Sequence, residues 1–145
     1  MIGIRNAYKL LAALVVTSSA ALVTSGLSAP IAANQTTKLK WWLPITVGAT
    51  GGVRIQIVVP AGGVLFNATI KLINTVAPSQ VVAAQLASAV FNNALANAGT
   101  HWIEVEAEIV NGTTAGTVDL QIAQNTSDAL SLTLLQGATL ETLAL

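Results

Sequence analysis

The chain has 145 residues, no cysteine, a formal net charge of +0, and 8% charged against 53% hydrophobic residues. This excludes a disulfide framework and a thiolate metal centre, and it leaves no global field to attract nucleic acid. An ordinary domain carries about 25% charged residues, so so bare a surface points to burial against copies of itself or a partner. The length fits one domain, 1–145, with one sizeable core.

Residues 1–21 read in two ways. Arg5 and Lys9, the apolar run Leu10 to Val16 and the small residues Thr17 to Ala21 have the layout of a secretory signal, which would leave a domain over 22–145. The run is too short and interrupted for a transmembrane helix. Stopped by Thr17-Ser18-Ser19, it also suits a buried strand. The strand is preferred, because Leu22 to Ile31 fits a further strand of the same domain.

Beyond Gly26 and Pro30, Asn34-Gln35-Thr36 reads as a turn. Thr37, Leu39, Trp41 and Leu43 then alternate with Lys38, Lys40 and Trp42, the period of a half-buried strand. Pro44 marks an edge position or a strand end. Val53 to Ile57 alternates again, and Ala61-Gly62-Gly63 turns the chain into a strand over Val64 to Asn74. Residues 78–97 are ambiguous: Ser79 suits a helix cap, while Val81-Val82 and Val90-Phe91 suit strands. Strand and loop are expected there, with room for one short helix near 92–98. Thr100 to Val110 is the clearest strand. Asn111-Gly112 predicts a hairpin into Val118, Leu120 and Ile122. Leu130 to Leu134 and Thr139 to Leu145 close the chain. The expected fold is all-β, a jelly-roll-like antiparallel sandwich.

The charges are segregated. All six Lys and Arg precede residue 72, and all six Asp and Glu follow residue 103. N-terminal strands should therefore lie beside C-terminal ones, within a subunit or between subunits. Glu104, Glu106 and Glu108 form one row, with neighbours about 7 Å apart, too far for one strand to hold a small cation. Lys38, Lys40 and Arg54 are their expected cross-strand partners. His101, the lone histidine, lacks co-ligands for zinc and a nucleophile motif, so it reads as structural. Trp41 is expected in the core. Trp42 and Trp102 lie on the charged faces and are interface anchors, with Glu104, Glu106, Glu108, Lys38, Lys40 and Arg54 as further interface candidates. Asn34, Asn67, Asn111 and Asn125 begin glycosylation sequons, which matter only for a secreted protein. No catalytic, cofactor or metal residues emerge.

The stretch from Gly99, GTHWIEVEAEIVNGTTAGTVDLQIAQNTSDALSLTLLQGATLETLAL, with the earlier LSAPIAANQTTKLKWWLPITVGATGG, resembles a structural domain of tailed-bacteriophage virion proteins. The likeness lies in turns and alternation over nearly the whole chain. It implies a jelly-roll-like sandwich, often trimeric, on a capsid or tail, with no catalytic residues. The domain stands without a fibre shaft, which favours a capsid decoration or cement protein on the virion surface, partnered by itself and the major capsid protein. The alternatives are a carbohydrate- or receptor-binding tail module and a secreted filament subunit joined by strand exchange.

Overall fold

The computed structural model describes residues 3, 5–75, 81–85, 90–93 and 98–145, and among these the chain forms strands and no helix. They are β1 (Arg5–Lys9), β2 (Leu14–Val16), β3 (Val23–Thr24), β4 (Ala29–Ile31), β5 (Thr36–Val47), β6 (Val53–Val58), β7 (Val64–Asn74), β8 (Val81–Gln85), β9 (Phe91–Asn93), β10 (Gly99–Val110), β11 (Gly116–Ala123), β12 (Leu132–Leu134) and β13 (Thr139–Ala144). Alternation decides the long ones. In β5, Thr37, Leu39, Trp41, Leu43 and Ile45 are buried while Lys38 and Trp42 are exposed.

The pairings are nested. β1 and β2 pair with β13 and β12, β3 and β4 with β11, β5 with β10, β6 with β9, and β7 with β8, all antiparallel. The chain is thus one long antiparallel ribbon folded back at β7 and β8. Rolling that ribbon over brings β13 and β12 beside β5, β11 beside β6, and β10 beside β7. The result is an eight-stranded sheet in the order β1-β13-β5-β10-β7-β8, extended by β2 and β12, and a five-stranded sheet in the order β3-β11-β6-β9, with β4 on β11. A double-sheet antiparallel sandwich of this connectivity is a jelly roll. The nesting also sets every N-terminal strand against a C-terminal one, which accounts for the segregated charges. Lys38, Lys40 and Lys71 end up on the two strands flanking Glu104, Glu106 and Glu108.

The core is the space between the sheets. Trp41, Leu43, Ile45, Ile55, Ile70, Ile103, Val105, Ile109, Leu120 and Ile122 are all sealed in it. Trp41 lies there as expected, and its indole N–H donates to the Leu27 carbonyl at 3.2 Å.

Four local expectations change. Asn111-Gly112 does not close a hairpin: β10 belongs to the larger sheet and β11 to the smaller, so the segment crosses between layers. A type I′ turn needs positive φ at both central residues, and neither Asn111 nor Gly112 has it. Instead Asn111 is buried, and its amide donates to the carbonyls of Ile31, Ala32 and Thr114. Gly112 packs on Gly62 so closely that a Cβ would stand 2.7 Å from its carbonyl oxygen.

Pro44 lies inside a central strand, opposite Trp102. Its carbonyl accepts from Leu135 N–H, which lies where β5's neighbour changes from β13 to β12. The Leu135 carbonyl opposite accepts from Ala138 N–H instead, so the missing N–H of Pro44 strands no acceptor at that break. The run Leu10 to Val16 is strand only over its last three residues, and Leu22 to Ile31 is broken by Gly26, whose φ is 78°. The helical alternative near 92–98 is replaced by strand at Asn92 and Asn93, and its residues 94–97 lie outside the described residues, as does Ser79.

The end of the sandwich opposite Asn111 is tied by Gln124. Its side chain is fully buried and uses all its hydrogen-bonding capacity. Nε2 donates to the carbonyls of Asp128 and Leu130, and Oε1 accepts from the N–H groups of Ser19 and Asp128. Asp128 extends the knot by accepting from Thr50 Oγ1 and Leu130 N–H, which hold its carboxyl below the usual aspartate range. A carboxyl so lowered contributes stability at neutral pH and loses it as pH falls through its folded-state value. Protection of the 124–130 amides, taken relative to their intrinsic exchange rates, should therefore fall only in acid, below the ordinary aspartate pKa, and Asp128→Asn should remove that pH dependence.

A candidate interaction face on the larger sheet

Register places nine of the twelve charged side chains on one surface, the outer face of the larger sheet. Across it run Lys9, Thr139, Trp42, Glu104 and Lys71 in one row, then Ala7, Glu141, Lys40, Glu106 and Thr69, then Arg5, Leu143, Lys38, Glu108 and Asn67. Of the interface candidates, Trp42, Trp102, Glu104, Glu106, Glu108, Lys38 and Lys40 share this face. Arg54 does not. It stands on β6 of the smaller sheet and donates to the Ala20 carbonyl at 2.9 Å, so it pairs with none of the three glutamates. Lys71, absent from the sequence-based set, takes its place on β7.

The middle of the face is an ionic lattice. Lys40 lies 2.9 Å from Glu106 and 3.5 Å from Glu104, and Lys71 lies 3.3 Å from Glu104. Glu104 is nearly buried between the two ammonium groups. The Lys40 ammonium, donating to Glu106, holds that carboxyl below its ordinary value, and the same hydrogen bond raises Lys40. The pair therefore contributes at neutral pH; it is lost in acid as Glu106 protonates and in strong base as Lys40 deprotonates. Lys40 is half-buried and Glu106 exposed, so their pair contributes no more than about 1 kcal/mol in a double-mutant cycle followed by denaturant titration, less still at high salt.

Beside the lattice, Trp42 and Trp102 meet edge to face, with centroids 6.5 Å apart at 76°, and Lys40 Nζ lies 5.3 Å from the Trp42 ring centre. At the far end of the face, β7 carries a bulge. Glu108 opposes Asn67 and Ile109 opposes Leu65, which leaves Phe66 as the extra residue. Phe66 is thrown outward and is 71% exposed, next to the exposed cross-strand pair Val64 and Val110. Between the two apolar ends, a solvent-open trough of about 390 Å³ is bordered by Arg5, Lys38, Lys40, Glu106, Glu108 and Glu141.

Elsewhere the charged side chains are Arg54, Asp119 and Asp128. Asp119 accepts from the Thr24 hydroxyl at 2.8 Å. Among the described residues no group of His, Cys, Asp and Glu is arranged to hold a metal ion, and no helix is long and apolar enough to cross a membrane. His101, on β10, is fully buried. Of the sequon asparagines, Asn111 is sequestered and unable to accept a glycan in the folded chain.

No protein-family model matches this chain, and no curated protein does. Among solved structures it is similar to the Gx strain of infectious bursal disease virus, at 12% identity and a TM-score of 0.25 over 98% of this chain and 40% of the other. It is likewise similar to the VP2 subviral particle of infectious bursal disease virus, at 12% identity and a TM-score of 0.28 over 98% and 40%. The chain spans about 40% of the length of those proteins. Its own strand order is what makes it a jelly roll.

Proposed function

We propose that this protein is a non-enzymatic structural subunit of a virus particle, a capsid decoration or cement protein that acts as a homo-oligomer. In this reading, β1 and β2 serve as sheet strands of a single domain rather than as part of a removed leader. The carrying observation is the distribution of charge. With nine of twelve charged groups on one face, the rest of the surface has three. That remaining surface includes exposed Leu11, Val23, Val58 and Leu130. Such a molecule turns its ionic face to solvent and covers its other sides with neighbours. Phe66, Val64 and Val110, at the rim of the ionic face, supply a lateral apolar contact.

The mechanism is mechanical. Subunits bridging capsid proteins add buried apolar area, at roughly 25 cal/mol per Å² less the cost of association, and so resist internal pressure. Three copies around a junction is the arrangement that the phage resemblance favours. Phe66 is a bulge residue outside the core, so Phe66→Glu should leave the unfolding midpoint nearly unchanged. It should still dissociate the oligomer in size-exclusion chromatography and weaken binding to expanded capsids in a co-sedimentation assay. An unaltered oligomer would remove the lateral contact, and a wild-type chain that fails to bind capsids would remove the decoration role.

A further inference from the structure

We infer that the trough on the outer face of the larger sheet is a binding site for a neutral oligosaccharide. The inference takes from the proposed function only that this face is turned to solvent. The trough's volume of about 390 Å³ lies in the range of small-ligand sites. Its border carries three cations, Arg5, Lys38 and Lys40, and three carboxylates, Glu106, Glu108 and Glu141, so it has no net charge. Within it, Lys40 and Glu106 are closed on each other at 2.9 Å. Arg5, Lys38, Glu108 and Glu141 form no ion pair among the described residues, although Lys38 and Glu108 are direct cross-strand neighbours.

Open donors and open acceptors thus face one small space. A strongly anionic ligand meets three carboxylates there, and a cationic one meets three positive groups. A vicinal diol, which both donates and accepts, satisfies both kinds of group at once. Half-buried Leu143 gives the floor an apolar spot. Trp42 borders the Lys40 end, two residues along the same face of β5, and Trp102 extends it. From Lys38 to Trp42 the face runs about 14 Å, long enough for several sugar rings, with indole surface for the apolar face of the last of them.

The test applies the full chain to an array of neutral, sialylated and sulfated glycans, followed by titration of a retained glycan with tryptophan fluorescence as the readout. Neutral glycans should be retained and should shift the emission of the exposed indoles. Lys38→Ala, Glu108→Gln and Trp102→Ala should each weaken binding about tenfold or more, as for the loss of one charge-assisted hydrogen bond or one stacking partner. The sedimentation coefficient should stay unchanged in all three. Retention of no glycan, retention of sulfated or sialylated glycans alone, or indifference to the three substitutions would overturn the inference. So would a change of oligomer mass in Lys38→Ala or Glu108→Gln, which would mean that a second copy fills the trough. Loss of capsid binding with glycan binding intact would instead contradict the proposed function and leave this site standing.

Discussion

Trp41→Ala should lower the unfolding free energy by about 3–5 kcal/mol, the largest single loss expected in the chain. The indole is completely buried between the sheets and touches the layer from which Leu27 hangs, so its removal leaves a large cavity and an unpaired carbonyl. Trp41→Phe separates the two effects, because it keeps most of the volume and loses only the bond to Leu27, and should cost about 1–2 kcal/mol. Equilibrium denaturation by urea, followed by circular dichroism, reads both. Equal losses for the two variants would show that the hydrogen bond, not the packing, dominates at this position.

Gln124→Ala is expected to cost about 2–4 kcal/mol, an unusual penalty for a loop residue. The side chain satisfies four backbone groups from two segments, 19 and 128–130, and no other side chain described at that end can take over its pattern. The loss should be local as well as global, with amides of Ser19, Asp128 and Leu130 exchanging faster than those of β5 and β10. Gln124→Glu sharpens the point. It keeps the shape but replaces two donors with acceptors facing carbonyls, and should be at least as damaging as alanine. A stability change within about 0.5 kcal/mol for either variant, the range of an ordinary surface substitution, would mean the knot is not structural.

Much of the fold was legible because alternation of period two needs no partner to be recognised. β5, β6, β10, β11 and the alternation of Ile70 and Leu72 with Lys71 in β7 could be read directly, and so could the burial of Trp41. The segregation of charge anticipated that N-terminal and C-terminal strands lie side by side. The nested ribbon is the reason, since it fixes Lys38 and Lys40 opposite Glu108 and Glu106. What sequence reasoning missed depends on long-range geometry. Asn111-Gly112 has the composition of a tight hairpin. Whether it turns within a sheet or arches between two is decided by Gly62 and by the carbonyls of Ile31 and Ala32, roughly fifty to eighty residues away in the chain. Pro44 in a central strand is tolerated only because the adjacent strand breaks there, which no local signal announces. The bulge that exposes Phe66 is likewise a property of two strands rather than one. Arg54 was grouped with the wrong glutamates because alternation gives a residue's face within its own strand, not the sheet to which that strand belongs. Gln124 could have been suspected only as an amide at the end of an alternating run, a weak signal without the loops that it ties.

Composition and assembly are linked through the fold. A chain with few charges can still present a well-hydrated face if the fold gathers those charges on one sheet, and this fold gathers nine of them. The remaining surface then has little to keep it apart from its neighbours. The most direct test is the mass of the untagged chain in solution, measured by sedimentation equilibrium at micromolar concentration. A discrete species at an integral multiple of 14.8 kDa is the expected result. A single, stable 14.8 kDa species across the whole concentration range would contradict the account at its root.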